Sequence, residues 1–312
     1  MAATPTFAVE QNYSTVLIRL LVVLSCGFLL TACSIANLRP AALADGPPPN
    51  AAAHGRQLLT EASQRMGLDR LAEVGTYEVT ANFDWSGFWS AMPMNSLPGA
   101  KNKDIRFRFT PGTFDGQLEF LEGPRTGEVY GIQSWEPYYR PTATAPVEKL
   151  NSRRYPWGLT AYHYIFETPL RLLSAPIVRY AGERTFEGQT YDLVFATWGD
   201  GTQRKDYDQY LVYVNQATGM VDLTELTITD FFLPVPNGMK NATVRYVDRH
   251  ETSVGAWLPR QTVIQLGRPK AVDKDVYTYT LTDYAFDRTP AAVLYPMPDL
   301  PRYGDRKPEA RR

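Results

Sequence analysis

The chain has 312 residues, with 32 Lys and Arg against 33 Asp and Glu and a formal net charge of −1. A charge so close to neutral gives no electrostatic footprint for a nucleic-acid partner. Its two cysteines, Cys26 and Cys33, exclude a disulfide framework once the first is removed, and a chain of this length buries most of its apolar surface without one.

The first element is a short apolar run over residues 20–30, preceded by Arg19 and closing on Leu30-Thr31-Ala32-Cys33. Crossing a bilayer as a helix takes about 20 apolar residues, so the run reads as the h-region of a cleaved signal peptide spanning 1–32. Its last four residues resemble the bacterial lipobox, where small residues admit the peptidase and the thiol accepts a diacylglyceryl group. The resemblance implies lipid attachment at Cys33, with the diacylglycerol and palmitate chains of a lipoprotein holding the chain on a membrane. The alternative is an uncleaved hydrophobic anchor beside a chance cysteine. Residues 1–15 carry Glu10 and no Lys or Arg, so translation from Val16 would give a more compact signal. Removing 1–32 takes away Glu10 and Arg19 together, which leaves the charge at −1. Ser34 stands where an Asp would resemble an inner-membrane retention signal, and this points to the outer membrane, facing the periplasm.

Residues 33–53 are rich in Ala and Pro and include Pro47, Pro48 and Pro49. This composition predicts an extended tether. A single domain is expected over 54–300, and a polar tail over 301–312. The domain opens with a predicted helix over 56–74, with Leu58, Leu59, Ala62, Met66, Leu68 and Leu71 on one face and a break at Gly67. Strands follow. Tyr77, Val79, Ala81, Phe83 and Trp85 alternate with polar residues, as they would on a half-buried sheet. The pattern returns at 105–109 and 117–120, and further strands are expected at 127–134, 178–185, 191–198, 207–215, 220–229, 242–251, 261–266 and 276–285. The segment 210–221 predicts a hairpin, with turn residues from Asn215 to Gly219. Between the strand groups, Leu159, Tyr162, His163, Phe166, Leu170 and Leu173 are spaced for a helix that Pro169 interrupts near Thr168. The expected fold class is therefore mainly β (α+β): a large curved antiparallel sheet or half-barrel with helices on its concave side.

The lipobox, the Pro-rich tether, the leading helix and the helix-interrupted sheet together resemble the lipoprotein-carrier (Lol-type) half-barrel proteins of the bacterial envelope. Locally, residues 163–173 and the 210–221 hairpin resemble uncharacterised relatives of that fold. The resemblance spans roughly 54–285 and implies an apolar cavity suited to acyl chains. The chain is longer than those carriers and has no segment matching the exposed apolar loop of the membrane-anchored carrier.

Enzyme chemistry needs a constellation, and the sequence offers only fragments. There are three histidines, His54, His163 and His250, with no Gly-x-Ser-x-Gly elbow, no phosphate-cradling loop and no zinc spacing. His163 and Glu167 stand four apart and would share a helix face, either as a packed pair or as the start of a metal site without further ligands. Asp206 and Asp208 would share one strand face, either as an acid–base pair or as a solvated strand start beside Arg204 and Lys205. No cofactor and no metal is expected.

The 19 tyrosines and six tryptophans are the remaining hint, since aromatic groups with polar edges suit binding mouths and membrane interfaces. Candidate ligand or interface residues, expected at strand ends or in loops, are Trp85, Phe88, Trp89, Met92, Met94, Trp135, Tyr138, Tyr139 and Trp157. The loop 86–103, which also carries Leu97, would be either a lid or a plug for an open sheet end. Three functions fit: binding of a lipid, acyl chain or lipoprotein in a sheet cavity; a scaffolding lipoprotein with a protein partner; and an envelope hydrolase. A continuous apolar hollow would favour the first.

Overall fold

The computed structural model of the chain describes residues 35–43, 46, 48–85, 96–199, 207–270, 277–302 and 304. The signal segment, Cys33, Asp206 and the candidates Phe88, Trp89, Met92 and Met94 lie outside the described residues.

Alternating side chains generate the main element, one antiparallel sheet of 13 strands. In chain order these are β1 (Tyr77–Asp84), β2 (Asp104–Phe109), β3 (Gly116–Phe120), β4 (Val129–Gln133), β5 (Glu136–Arg140), β6 (Glu148–Lys149) and β7 (Ile177–Phe186). They continue as β8 (Gln189–Thr197), β9 (Gln209–Asn215), β10 (Val221–Thr227), β11 (Asn241–Glu251), β12 (Trp257–Leu266) and β13 (Tyr277–Phe286). The spatial order is 6-5-4-3-2-1-13-12-11-10-9-8-7. Two meanders are thus joined where β1 pairs with β13, Ala81 opposite Leu281 and Phe83 opposite Tyr279. The sheet has β6 and β7 at its edges, and the chain passes between them through two helices, α3 (Arg154–Phe166) and α4 (Thr168–Leu172).

Those helices and α1 (Ala51–Arg65) and α2 (Leu68–Glu73) pack on one face, called the inner face below. β2 shows why: Ile105, Phe107 and Phe109 are buried on the inner side, while Arg108 points outward to Glu78 at 3.1 Å and Glu119 at 2.8 Å. The core under α3 is aromatic, with Phe83 and Tyr162 in contact with each other and with both Phe107 and Tyr279 at centroid distances of 5.3–6.1 Å. Burying each such ring contributes roughly 1.5–3 kcal/mol. Two glycines fit α1 into place. Gly55 lets the helix approach β7 so closely that a Cβ would lie 2.3 Å from the Tyr180 backbone nitrogen. Gly67, at φ +65°, separates α1 from α2 where a Cβ would meet the Gly255 carbonyl.

The predicted 210–221 hairpin is present as β9 and β10. Asn215 accepts from Ala217 N–H at 2.9 Å through its side chain and from Gly219 N–H at 2.8 Å through its carbonyl, and Gly219 takes φ +69°. The break predicted near Thr168 is also found, with Pro169 opening α4.

Three local expectations change. The aromatic clusters are not at strand ends or in loops throughout: Tyr138 and Tyr139 lie within β5, and Trp157 lies in the first turns of α3. The leading helix starts at Ala51 rather than at residue 56. Residues 35–43, inside the stretch expected to be an extended tether, lie against the outer face. There Leu38 and Leu43 join a second core with Tyr191, Phe195, Leu211 and Tyr213. The C-terminal stretch covers the outer face at the other side of the sheet, where α5 (Ala291–Leu294) precedes a bond from Gln133 Nε2 to the Met297 carbonyl at 2.6 Å.

Candidate functional site

The helix α3 carries two unlike faces. Leu159, Tyr162, His163 and Phe166 are buried against β1 and β2. Thr160, Ala161, Tyr164 and Ile165, with Thr168 of α4, line a cavity of ≈ 510 Å³ between the helix and the C-terminal meander; Ala161, Tyr164 and Ile165 stand two positions on from Leu159, Tyr162 and His163 in the helical period. The backbone of α3 approaches β3 and β4, and the hollow lies on the side away from them.

Register builds the floor. Tyr210 stands opposite Leu226, Leu226 opposite Ala242 and Ala242 opposite Leu266, one inner-face row across β9 to β12. A second row runs from Val244 to Ile264 to Tyr277. All of these side chains line the cavity. Ala242 is the small member of its row, and its missing volume helps to leave the space open. Leu226, Ile264 and Leu266 are only half-buried although they lie on the face that helices cover. Apolar groups left facing such a hollow give up roughly 25 cal/mol per Å² of burial that a ligand would restore.

One end of the cavity is polar. Asp208 accepts from Thr229 N–H at 2.7 Å and from the Thr227 hydroxyl at 3.2 Å. Burial pushes its carboxyl up to about 6, against these two hydrogen bonds and with help from the charge of Asp230. Asp230 is exposed and pairs with Arg153 at 2.7 Å, while its carbonyl accepts from Trp157 Nε1 at 2.5 Å. Phe231 packs on Trp157 with centroids 4.7 Å apart. Together with Tyr207, 42% exposed, these residues form the rim.

Of the sequence candidates, Trp85, Trp135 and Trp157 come together around this cavity. Tyr138 does not; it sits on the outer face with its hydroxyl 3.0 Å from the Gln117 side-chain amide. Tyr139 packs on Tyr130, which stacks on Tyr155 of α3 at 3.9 Å, on the inner face but away from the cavity. From the loop considered as lid or plug, Ser96 lines the cavity and Leu97 is fully buried in the core.

His163 and Glu167 form a packed pair within a charge network. His163 Nε2 and Glu167 Oε1 are 2.8 Å apart, and Arg171 Nε lies 2.9 Å from the other carboxylate oxygen. The Tyr77 hydroxyl and Gly112 N–H also donate to that carboxylate, at 3.1 and 3.0 Å. Burial opposes the charge on Glu167, yet His163, Arg171 and the backbone donor together hold its carboxyl at about 2. Burial holds the His163 imidazole down at about 4, so it is neutral and donates. Among the described residues no group of three metal-ligating side chains occurs. His54 packs at a tilt on Tyr180 and His250 neighbours Tyr284, so the three histidines have separate surroundings.

No protein-family model matches the sequence, and no curated protein matches it. Solved structures similar to it include one described as an outer membrane lipoprotein-sorting protein domain, from Vibrio parahaemolyticus, with 11% identity and a TM-score of 0.46, covering 78% of this chain and 97% of that one. A LolA-superfamily protein from Nitrosomonas europaea has 11% identity and a TM-score of 0.46, covering 77% and 96%. A DUF1329 family protein from Desulfovibrio piger has 10% identity and a TM-score of 0.46, covering 78% and 97%. Two of these three neighbours are described as lipoprotein-sorting or LolA-superfamily proteins, and the likeness is one of fold.

Proposed function

We propose that this chain is an envelope lipoprotein, anchored through lipid on Cys33 at the outer membrane, whose inner-face cavity binds an acyl chain or another long apolar ligand, free or carried on a lipoprotein. The observation that carries the ligand reading is the ≈ 510 Å³ hollow between α3 and the C-terminal meander. Its volume falls within the range of about 300–1,000 Å³ typical of small-molecule sites. The lipobox, Leu30-Thr31-Ala32-Cys33, and the Ser at position 34 support the anchor and its address.

The chemistry of the lining favours binding over catalysis. Its charged members among the described residues are Asp208 and Asp230, one engaged by two donors and the other paired with Arg153. Among the described residues neither is bonded to a serine, cysteine or histidine, and the one hydroxyl that donates to Asp208, that of Thr227, also accepts from Gln209 N–H in the strand-end bonding of the sheet.

A chain of about fifteen methylenes gains roughly 12 kcal/mol on burial. Subtracting at least about 4 kcal/mol for association leaves roughly 8 kcal/mol, a micromolar dissociation constant. Each methylene is then worth about fourfold in affinity until the hollow is filled. Titration of a fluorescent acyl probe, displaced by unlabelled alkyl chains of increasing length, tests this. Saturable 1:1 binding with that length dependence is expected. A chain that leaves the probe unbound at millimolar concentration overturns the reading and leaves a scaffolding lipoprotein.

A further inference from the structure

The outer-face segment and the cavity meet at one end of the sheet. Leu38 N–H donates to the Gln209 side chain at 2.7 Å in a buried bond. Leu38 is 5% exposed, and Ile35, three residues earlier, is equally buried. Gln209 opens β9; the next side chain, Tyr210, lies on the inner face in the cavity wall, and the preceding Asp208 and Tyr207 are at its rim. Thr197 and Thr227, the last residues of β8 and β10, flank Gln209 at the same end.

This docking shortens the anchor. A flexible tether of about twenty residues would have a root-mean-square span of roughly 25 Å and impose no orientation. With Leu38 pinned, only residues 34–37 separate it from Cys33, so the lipidated cysteine, five Cα steps away, stays within about 18 Å of the Leu38 backbone even when fully extended. The lipid is therefore confined near the end of the sheet where the cavity opens. That same end presents Trp157 and Phe231, both half-buried, and the exposed Tyr207. Aromatic rings with a polar edge settle at the boundary between headgroups and acyl chains.

Resting on the anchored-carrier reading above, we propose that the docked 35–43 segment holds the cavity mouth against the bilayer surface. Trp157, Tyr207 and Phe231 then contact the headgroup region, and an acyl ligand passes between membrane and cavity without crossing open water.

The test uses the full, lipidated protein in phosphatidylcholine vesicles carrying brominated acyl chains near the headgroups. Fluorescence quenching is read as the difference between the wild type and Trp157→Phe, which isolates Trp157. A second variant inserts a twenty-residue Gly/Ser segment between Ser34 and Ile35. The expected result is a quenched Trp157 signal in the wild type and loss of most of that quenching in the insertion variant, with both proteins floating equally with the vesicles. An unquenched Trp157 in floating wild type, or equal quenching in both proteins, overturns the proposal. A protein that does not float overturns it through the anchor. Acyl-probe binding by the same preparations is measured separately, so failure of the cavity reading has its own signature.

Discussion

Ala161 gives the sharpest test of whether the space between α3 and the sheet is a hollow or a packed core. It lies on the sheet-facing side of α3, lines the cavity and is only half-buried. Ala161→Leu adds three carbons at a helix position where leucine is nearly as favourable as alanine. If the space is open, those carbons bury against Ile264 and its neighbours, and at about 0.8 kcal/mol each they stabilise the fold by up to ~2 kcal/mol. For a domain of this size such a gain raises Tm by roughly 4–8 °C. The same carbons occupy ligand volume, so the acyl-probe dissociation constant rises by at least about tenfold, the equivalent of two lost methylenes. In a filled core the substitution would instead overpack and destabilise by about 1–3 kcal/mol. Urea unfolding together with probe titration separates the two cases. A destabilised variant that binds the probe as wild type does would refute the hollow.

Three further outcomes follow from the buried groups. Glu167→Gln leaves Arg171 buried beside a neutral partner and destabilises by about 3–5 kcal/mol in urea unfolding. Because Glu167 is held at about 2, its contribution is present above the unfolded value of about 4.5 and fades as pH falls towards 2, by roughly 3 kcal/mol in all. The variant should lose that slope, and an unchanged profile would contradict the network. Asp208 has the opposite sign: its folded value of about 6 lies above the unfolded one, so its contribution weakens as pH rises from about 4 to 6. Asp208→Asn keeps the acceptor for Thr229 and should be more stable than wild type at pH 7.5 by up to ~3 kcal/mol, with no gain at pH 3.5. The neutral His163 titrates in an overlapping window with the reverse slope, so the wild-type-minus-variant difference is the quantity to read. For the outer-face segment, Leu38→Ala removes a buried side chain at a cost of about 2–5 kcal/mol. Hydrogen exchange should show residues 35–43 deprotected while β9 stays protected; unaltered protection would deny that Leu38 holds the segment.

The sheet was legible where alternation is unbroken, as in Tyr77, Val79, Ala81 and Phe83, whose inner-face burial follows the pattern. β5 was not, because Glu136-Pro137-Tyr138-Tyr139-Arg140 carries a proline, which argues against a strand, and β6 has two residues. The docked N-terminal segment escaped because Ile35, Leu38 and Leu43 are spaced irregularly among Ala and Pro, and their burial depends on an outer face that exists only after β7 to β10 pair. The position of the cavity, which the fold resemblance implied only in general terms, was hidden for a related reason. Leu159, Tyr162, His163 and Phe166 have the spacing of a buried helix face, but Ala161, Tyr164 and Ile165 on the other face are also apolar. Only the register of Tyr210, Leu226, Ala242 and Leu266 shows that, among the described residues, no side chain fills the space opposite them. Trp85, Trp135 and Trp157, singled out from the sequence, line the cavity, and so does Trp198, which was not singled out; Tyr138 and Tyr139 pack elsewhere.

The central claim, an apolar ligand in the inner-face cavity, is tested most directly by native mass spectrometry of the chain from residue 33 carrying Cys33→Ser, purified without detergent from a bacterial envelope and extracted with organic solvent. A co-purifying acyl species at up to one per chain, displaced by added long-chain alcohol and depleted in Ala161→Leu, is expected. A clean apo mass that added acyl chains leave unchanged would contradict the claim.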